Sequence, residues 1–403
     1  MRVVYVCTDE GVPTFGTKGS SVHVQAMLSQ FLDRGDEVHL VTSRPGSPPP
    51  GHLSRVRVHL LPGPEKVDVA GLDPREPAAR EVAARARDAQ VALTLARLHA
   101  ETPVDLVYER YALWGRTATA WARANGVCSI LEVNSPLPEE QTRHRVLVDR
   151  VAAIDVAYAA TGQANVVICV SDRVADWVRT LGAASPDAVH TVPNGVDTRR
   201  FSPSVWRRDL PTFTLGFVGT LKPWHGVEDL VRAFGILHAG DPSYRLLLVG
   251  DGPERARIDQ VIADLELDGA VELTGAVEPV DIPRQLTRMD LAVAPYPPLE
   301  GFYFSPLKVY EYLAAGLPVV ASDVGTLPGL LVPPDAAQLG VVYPAGSVHQ
   351  LAATVSRLRQ DPTTRVRLST EGRKAMVARH DWKHVLDHVL DLAGVGHVPS
   401  QLR

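Results

Sequence analysis

Tyr303-Phe-Ser-Pro-Leu-Lys-Val-Tyr-Glu311-Tyr-Leu-Ala-Ala-Gly316-Leu-Pro-Val-Val-Ala-Ser322-Asp-Val-Gly325 reads as a loop, a helix and a buried strand. Ser305 and Pro306 stand where an N-cap and a first helical residue belong, with Leu307 next. Orphan N–H groups and the positive dipole end there can hold an anion such as a diphosphate. Lys308 and Glu311 are three apart and share one helix face, a cation near the anion site and a carboxylate suited to sugar hydroxyls. Gly316 stops the helix. Pro318 to Ala321 is apolar and partly β-branched, as in a strand covered on both faces.

Working outward, strand and helix alternate through the chain, and the pattern restarts near its middle. Strands are expected at Val3–Cys7, Glu37–Thr42, Val56–Leu61, Leu106–Tyr108, Ser129–Val133 and Val166–Val170. A second series follows at Thr214–Val218, Arg245–Val249, Val271–Thr274 and Leu291–Ala294. Helices fit at Ser20–Arg34, Ala78–Leu98, Val227–His238 and Glu254–Leu265. Such alternation builds an α/β fold of two doubly wound sheets. With 403 residues, 45% hydrophobic, the chain suits two domains better than one core. The Pro-Asn-Gly turn at 193–195 fits an interdomain crossing.

Composition removes several function classes. A net charge of −5 argues against a nucleic-acid partner. Cys7, Cys128 and Cys169 are odd in number and widely spaced, as core thiols rather than a disulfide frame. No stretch approaches the length of a transmembrane segment and the N-terminus enters a strand at once, so a cytoplasmic protein is expected. No His, Cys, Asp or Glu cluster has metal-ligand spacing. The 78–98 pattern carries Arg80, Arg85, Arg87 and Arg97, but Glu81, Asp88 and the alanines make it a weak membrane binder.

The 303–325 segment resembles the donor-binding element of retaining GT-B glycosyltransferases of family 4 (glycosyl transferases group 1), in which two glutamates seven residues apart frame such a helix. Glu311 matches the second glutamate; Tyr303 stands in place of the first. Gly216-Phe-Val-Gly219-Thr-Leu-Lys222-Pro-Trp-His225-Gly226 resembles the family's diphosphate loop, with Thr220 and His225 where an Arg and a Lys are usual. Lys222, His225 and Lys308 are then the basic groups left to offset the leaving charge, and Lys222 and Lys308 are expected to replace the usual pair. Gly250-Asp-Gly-Pro253 resembles a further signature, and Ala276 and Val277 fall where relatives read the base.

The resemblance implies two Rossmann-like domains facing across a cleft. The N-terminal acceptor domain is placed at 1–190, the donor domain at 191–375, and a C-terminal helix at 376–403 crosses back to the first. It also implies transfer of a hexose-type sugar from a nucleotide diphosphate co-substrate, UDP-GlcNAc or UDP-Glc favoured, without metal or other cofactor. In that reading Lys222, Lys308, Glu311 and Asn134 serve catalysis. Gly19, Gly219, His225, Gly250, Ala276, Val277, Ser305, Pro306 and Leu307 join Glu311 in holding the donor. Lys18, His23, Glu109 and Asn134 hold the acceptor. Gly11 and Gly16 have P-loop spacing, but Thr17 stands where the Lys must be, which excludes that motif.

Asn134 replaces a His common in the family and cannot act as acid or base. The carboxylates Asp9, Glu10, Glu109, Glu132, Glu139 and Glu140 near strand ends make an aminocyclitol a candidate acceptor, and a solvated surface explains them equally. Alternatives to sugar transfer are a pseudo-glycosyltransferase joining an activated cyclitol, a nucleotide-sugar epimerase or hydrolase, and a non-catalytic binding protein. Oligomeric state is not readable from the sequence.

Overall fold

A computed structural model of the chain describes residues 1–62, 73, 75–203, 211–299, 301–303 and 305–395. The chain forms two compact units, Met1–Pro193 together with the chain from Trp382 onward, and Asn194–Asp381. The expected terminal segment 376–403 lies outside the described residues beyond 395.

The first unit holds seven strands: β1 (Arg2–Cys7), β2 (Glu37–Thr42), β3 (Arg57–Leu60), β4 (Leu106–Arg110), β5 (Cys128–Val133), β6 (Val166–Cys169) and β7 (Val189–Thr191). They pair in parallel in the order β3-β2-β1-β4-β5-β6-β7. Val3 through Cys7 are all 0% exposed, because helices cover both faces of a parallel sheet and leave no wet side for alternation. The helix Trp382–Leu392 packs on this unit: Trp382 meets the His23 ring edge-on at 4.8 Å, and Asp387 accepts from Arg34 at 3.0 Å.

The second unit repeats the scheme with β8 (Phe213–Val218), β9 (Tyr244–Val249), β10 (Val271–Leu273), β11 (Leu291–Ala294), β12 (Val319–Ser322) and β13 (Val341–Tyr343), ordered β10-β9-β8-β11-β12-β13 and again parallel. Two clusters, one around Phe217, Phe234 and Leu248 and the other around Tyr312, Val319 and Ala321, pack its opposite faces.

In each unit the strand order reverses beside the first strand, at β1/β4 and at β8/β11. Loops leaving the carboxyl ends of such a pair diverge to opposite faces and open a crevice, the usual place for a ligand in this architecture. The loops after β8 and β11 and the helix Leu307–Ala314 belong to that place in the second unit. The loops after β1 and β4 occupy it in the first.

Candidate active site

The helix Leu307–Ala314 begins one residue later than the sequence suggests. Pro306 is its N-cap, with φ −78° and ψ 103°, and no side chain caps it. Ser305 is not the cap: its hydroxyl accepts the backbone N–H of Asn194 at 3.1 Å, and its carbonyl accepts the Asn194 amide at 2.7 Å. A partner 111 residues away has taken the group that local sequence assigns to the helix end.

Lys308 is directed into the second unit. Its ammonium is buried, finds no hydrogen-bond partner among the described residues, and lies 4.1 Å from the ring centroid of Phe217 and 5.5 Å from that of Tyr296. The ring faces supply partial compensation for lost hydration. Burial pulls its pKa down to about 7, opposed by the nearby Glu311 carboxylate. Glu311, one turn on and half-buried, is raised by burial and lowered by Arg200 and Lys308.

His225 does not supply the positive charge expected of it. Its Nδ1 donates to the carbonyl of Thr220, its ring sits among Phe217, Trp224 and Tyr296, and burial followed by repulsion from Lys308 lowers its pKa to about 3. It is therefore neutral near pH 7 and shapes the loop. Lys222, half-buried with its Nζ 5.5 Å from the Trp224 ring centroid, is the second cation of this loop.

Gly219 and Gly250 lie where two loops of the second unit meet closely. Gly219 N–H donates to Val249 O at 2.9 Å, and Leu221 N–H to Asp251 O at 3.0 Å, so these donors serve the neighbouring loop. Gly250, at φ 137°, would place a Cβ 2.1 Å from Gly219 O; only glycine permits this approach. Gly219 itself, at φ 147°, would place a Cβ 2.7 Å from the Lys308 ammonium. Gly219→Ala is expected to lower stability by about 1–3 kcal/mol through backbone strain and to displace Lys308, seen as a lower Tm and a weaker response to nucleotide. Ala276 and Val277 follow Gly275, which bridges to Gly250, so the expected base-reading loop lies beside this glycine pair.

In the first unit, Gly19 opens the helix Gly19–Asp33 and Lys18, its N-cap, is exposed, 3.5 Å from Gly11 O. The loop between β1 and this helix is tied down by Gln25, whose amide donates to Thr14 O and Gly16 O. His23 points inward, 3.0 Å from Glu132. Glu132 is 2% exposed, and its Oε1 also receives Arg110 Nη1 at 3.1 Å and the Asn134 amide, while its Oε2 accepts from the Tyr108 hydroxyl at 2.6 Å. Burial alone would raise this carboxyl; His23, Arg110 and Asn134 hold it well below the usual range. Glu132 thus gathers two of the expected acceptor residues, His23 and Asn134.

Glu109 belongs elsewhere, contrary to its expected acceptor role. It is 1% exposed and turned toward the start of the helix Thr117–Ala124, where the Thr119 N–H bonds it. Asp88 occupies the same helix start, accepting from the backbone of Arg116 and Thr117 and from the Thr117 hydroxyl. Burial and then the Asp88 charge push Glu109 up to about 8. The folded state keeps a proton that the unfolded chain releases near pH 4.5, so stability falls as pH rises between these values. Glu109→Gln removes that loss. Relative to wild type it is expected to gain about 2–4 kcal/mol between pH 5 and pH 8, read from urea unfolding at both. Of the other carboxylates, Glu10 pairs with Arg87 and Asp9 accepts from Gly11 N–H at 2.7 Å.

Comparison with known proteins gives the family of each half of the chain. Residues 17–200 match the family described as Glycosyltransferase Family 4, and residues 199–375 match Glycosyl transferases group 1. An MMP alpha-(1->4)-mannosyltransferase of Mycolicibacterium hassiacum is 30% identical over 54% of this chain and 51% of its own length. A 2-deoxystreptamine glucosyltransferase of Streptomyces kanamyceticus is 28% identical over 66% of this chain and 71% of its own. The chain spans about half the length of several curated relatives it matches. Among solved structures, Anabaena HepE in complex with UDP and glucose has a TM-score of 0.70 at 18% identity, covering 98% of this chain and 99% of that one, a likeness of GT-B fold.

Proposed function

Because its two halves belong to Glycosyltransferase Family 4 and Glycosyl transferases group 1, we propose that the protein is a GT-B glycosyltransferase moving a hexose-type sugar from a nucleoside diphosphate donor to an acceptor hydroxyl. The observation that carries this is the Lys308 ammonium, buried at the start of a helix beside a glycine turn with no hydrogen-bond partner among the described residues and only the Glu311 carboxylate, one turn on, to offset its charge. A cation kept there against its own desolvation cost is suited to an anion that arrives with the substrate.

In this reading the donor diphosphate takes Lys308, the N-terminal end of the 307–314 helix and Lys222, while Glu311 accepts from ribose hydroxyls. The C1–O bond to phosphate breaks as the acceptor oxygen approaches the same face of C1. The acceptor proton passes to the departing phosphate oxygen, so configuration is retained and no protein nucleophile is required. Charge on the leaving diphosphate is what Lys308 offsets, the kind of preorganised interaction that contributes most to such steps. UDP is the favoured nucleotide, in line with the UDP held by HepE. The pairing of Glu132, Glu109 and Glu10 with groups of the protein itself leaves them poorly placed to recognise an amine. An aminocyclitol acceptor therefore rests on the name of the glucosyltransferase relative.

A thermal-shift series with UDP, GDP, dTDP and ADP sugars tests the donor site, because a ligand bound only by the folded state stabilises it by RT ln(1 + [L]/Kd). The expected result is a rise of several degrees with one nucleotide; no rise with any would remove the donor reading.

A further inference from the structure

We infer that Asn194 is a positioning residue for the diphosphate-binding end of the 307–314 helix, through its two hydrogen bonds to Ser305. This rests on the donor-site reading above. Asn194 is 8% exposed and Ser305 7%. The Asn194 backbone N–H donates to the Ser305 hydroxyl at 3.1 Å, and its Nδ2 donates to the Ser305 carbonyl at 2.7 Å. Three residues beyond Ser305 stands Lys308. The turn Ser305-Pro306-Leu307 has no side-chain cap to fix it, so these two hydrogen bonds set where the helix start and the ammonium lie.

The residue doing the holding is itself held. Val196 N–H donates to His380 O at 2.8 Å, and the Thr198 hydroxyl donates to Asp381 at 2.5 Å. Arg373 donates to Phe201 O at 2.6 Å, Thr198 O at 2.9 Å and Ala314 O at 2.9 Å, binding the same segment to the far end of the helix. The 194–201 segment thus grips the helix at both ends.

The Asn194 Oδ1 is buried without a partner among the described residues. An idle buried acceptor costs stability, and a clasp that served the fold alone would do better with a residue lacking it. Its retention fits a requirement for the amide donor at this point. Displacement of a charged group by an ångström is enough to lose most of its effect on a bound ligand.

Calorimetric titration of wild type, Asn194→Ala and Ser305→Ala with the tightest of UDP, GDP, dTDP and ADP, and then with the matching nucleoside, tests the assignment. Asn194→Ala is expected to weaken the diphosphate 10- to 50-fold and leave the nucleoside within twofold. Ser305→Ala, which keeps the amide–carbonyl bond, should fall between. Should Asn194→Ala fold poorly, Ser305→Ala carries the same contrast at smaller size. Equal losses for nucleoside and diphosphate, or no loss for either, would overturn the assignment. If wild type bound none of the four, the donor reading would fail and this inference with it; binding by wild type with no selective loss in the variants would remove the inference alone.

Discussion

Lys308→Met is expected to lower kcat/KM for sugar transfer by about 10²–10³-fold while leaving the protein as stable as wild type or more so. The two effects have one cause. In the free protein the ammonium is buried over Phe217 with no hydrogen-bond partner among the described residues, so its removal takes away a desolvated charge and keeps the volume of the side chain. In the proposed donor complex the same ammonium would meet the diphosphate, and its loss would leave the departing charge uncovered. The sign of the pH dependence follows. Lys308 titrates near 7 in the folded state and near 10.5 unfolded, so the unfolded chain holds more protons between those values and wild-type stability rises across them. The difference between variant and wild type should therefore shrink as pH is raised from 7 to 10, by an amount on the order of 3–4 kcal/mol. A variant that lost activity and stability together would instead mark Lys308 as a structural residue.

Glu132→Ala is expected to have the opposite balance, a loss of about 3–5 kcal/mol of stability measured by urea unfolding. The carboxylate is 2% exposed and accepts from Tyr108, Arg110, His23 and Asn134. Its removal strands the Arg110 guanidinium in the interior and releases the inward orientation of His23 and Asn134. Glu132→Gln, keeping the shape, should lose less. The carboxyl is depressed in the folded state, so its contribution is fully present above about pH 4.5 and disappears as pH falls below it. Wild type should lose stability on acidification below pH 4.5 more steeply than Glu132→Gln does.

The regular elements were readable because their causes are local. Val3–Cys7 and Leu291–Ala294 are apolar runs of strand length, and both are strands. Lys308 and Glu311 fall on the helix where their spacing places them. The three-residue strands Val189–Thr191 and Val341–Tyr343 escaped the reading, since so short a run carries no period and exists only by pairing with β6 and β12.

Tertiary partners account for the rest. Ser305 has the composition of an N-cap, but the chain brings Asn194 to it and the hydroxyl is used there. Gly219 and Gly250 are expected to border the donor, and their close approaches to the Lys308 ammonium and to the Gly219 carbonyl come from parts of the chain that the local sequence does not show. Glu109 and Glu132 lie in neighbouring parallel strands, and their side chains take opposite fates. One goes with Asp88 to a helix start; the other joins Tyr108 and Arg110 beneath the first helix. That division depends on which strand pairs with which and in what register, a long-range fact that no short window of sequence contains.

The most direct test follows proton NMR of wild type with UDP-glucose, or with the sugar of whichever nucleotide binds, in the presence and absence of a polyol or aminocyclitol acceptor. The account predicts nucleoside diphosphate release that depends on the acceptor and a product whose anomeric proton shows the α configuration of the donor. Release at the same rate without acceptor, or a β-linked product, would contradict it.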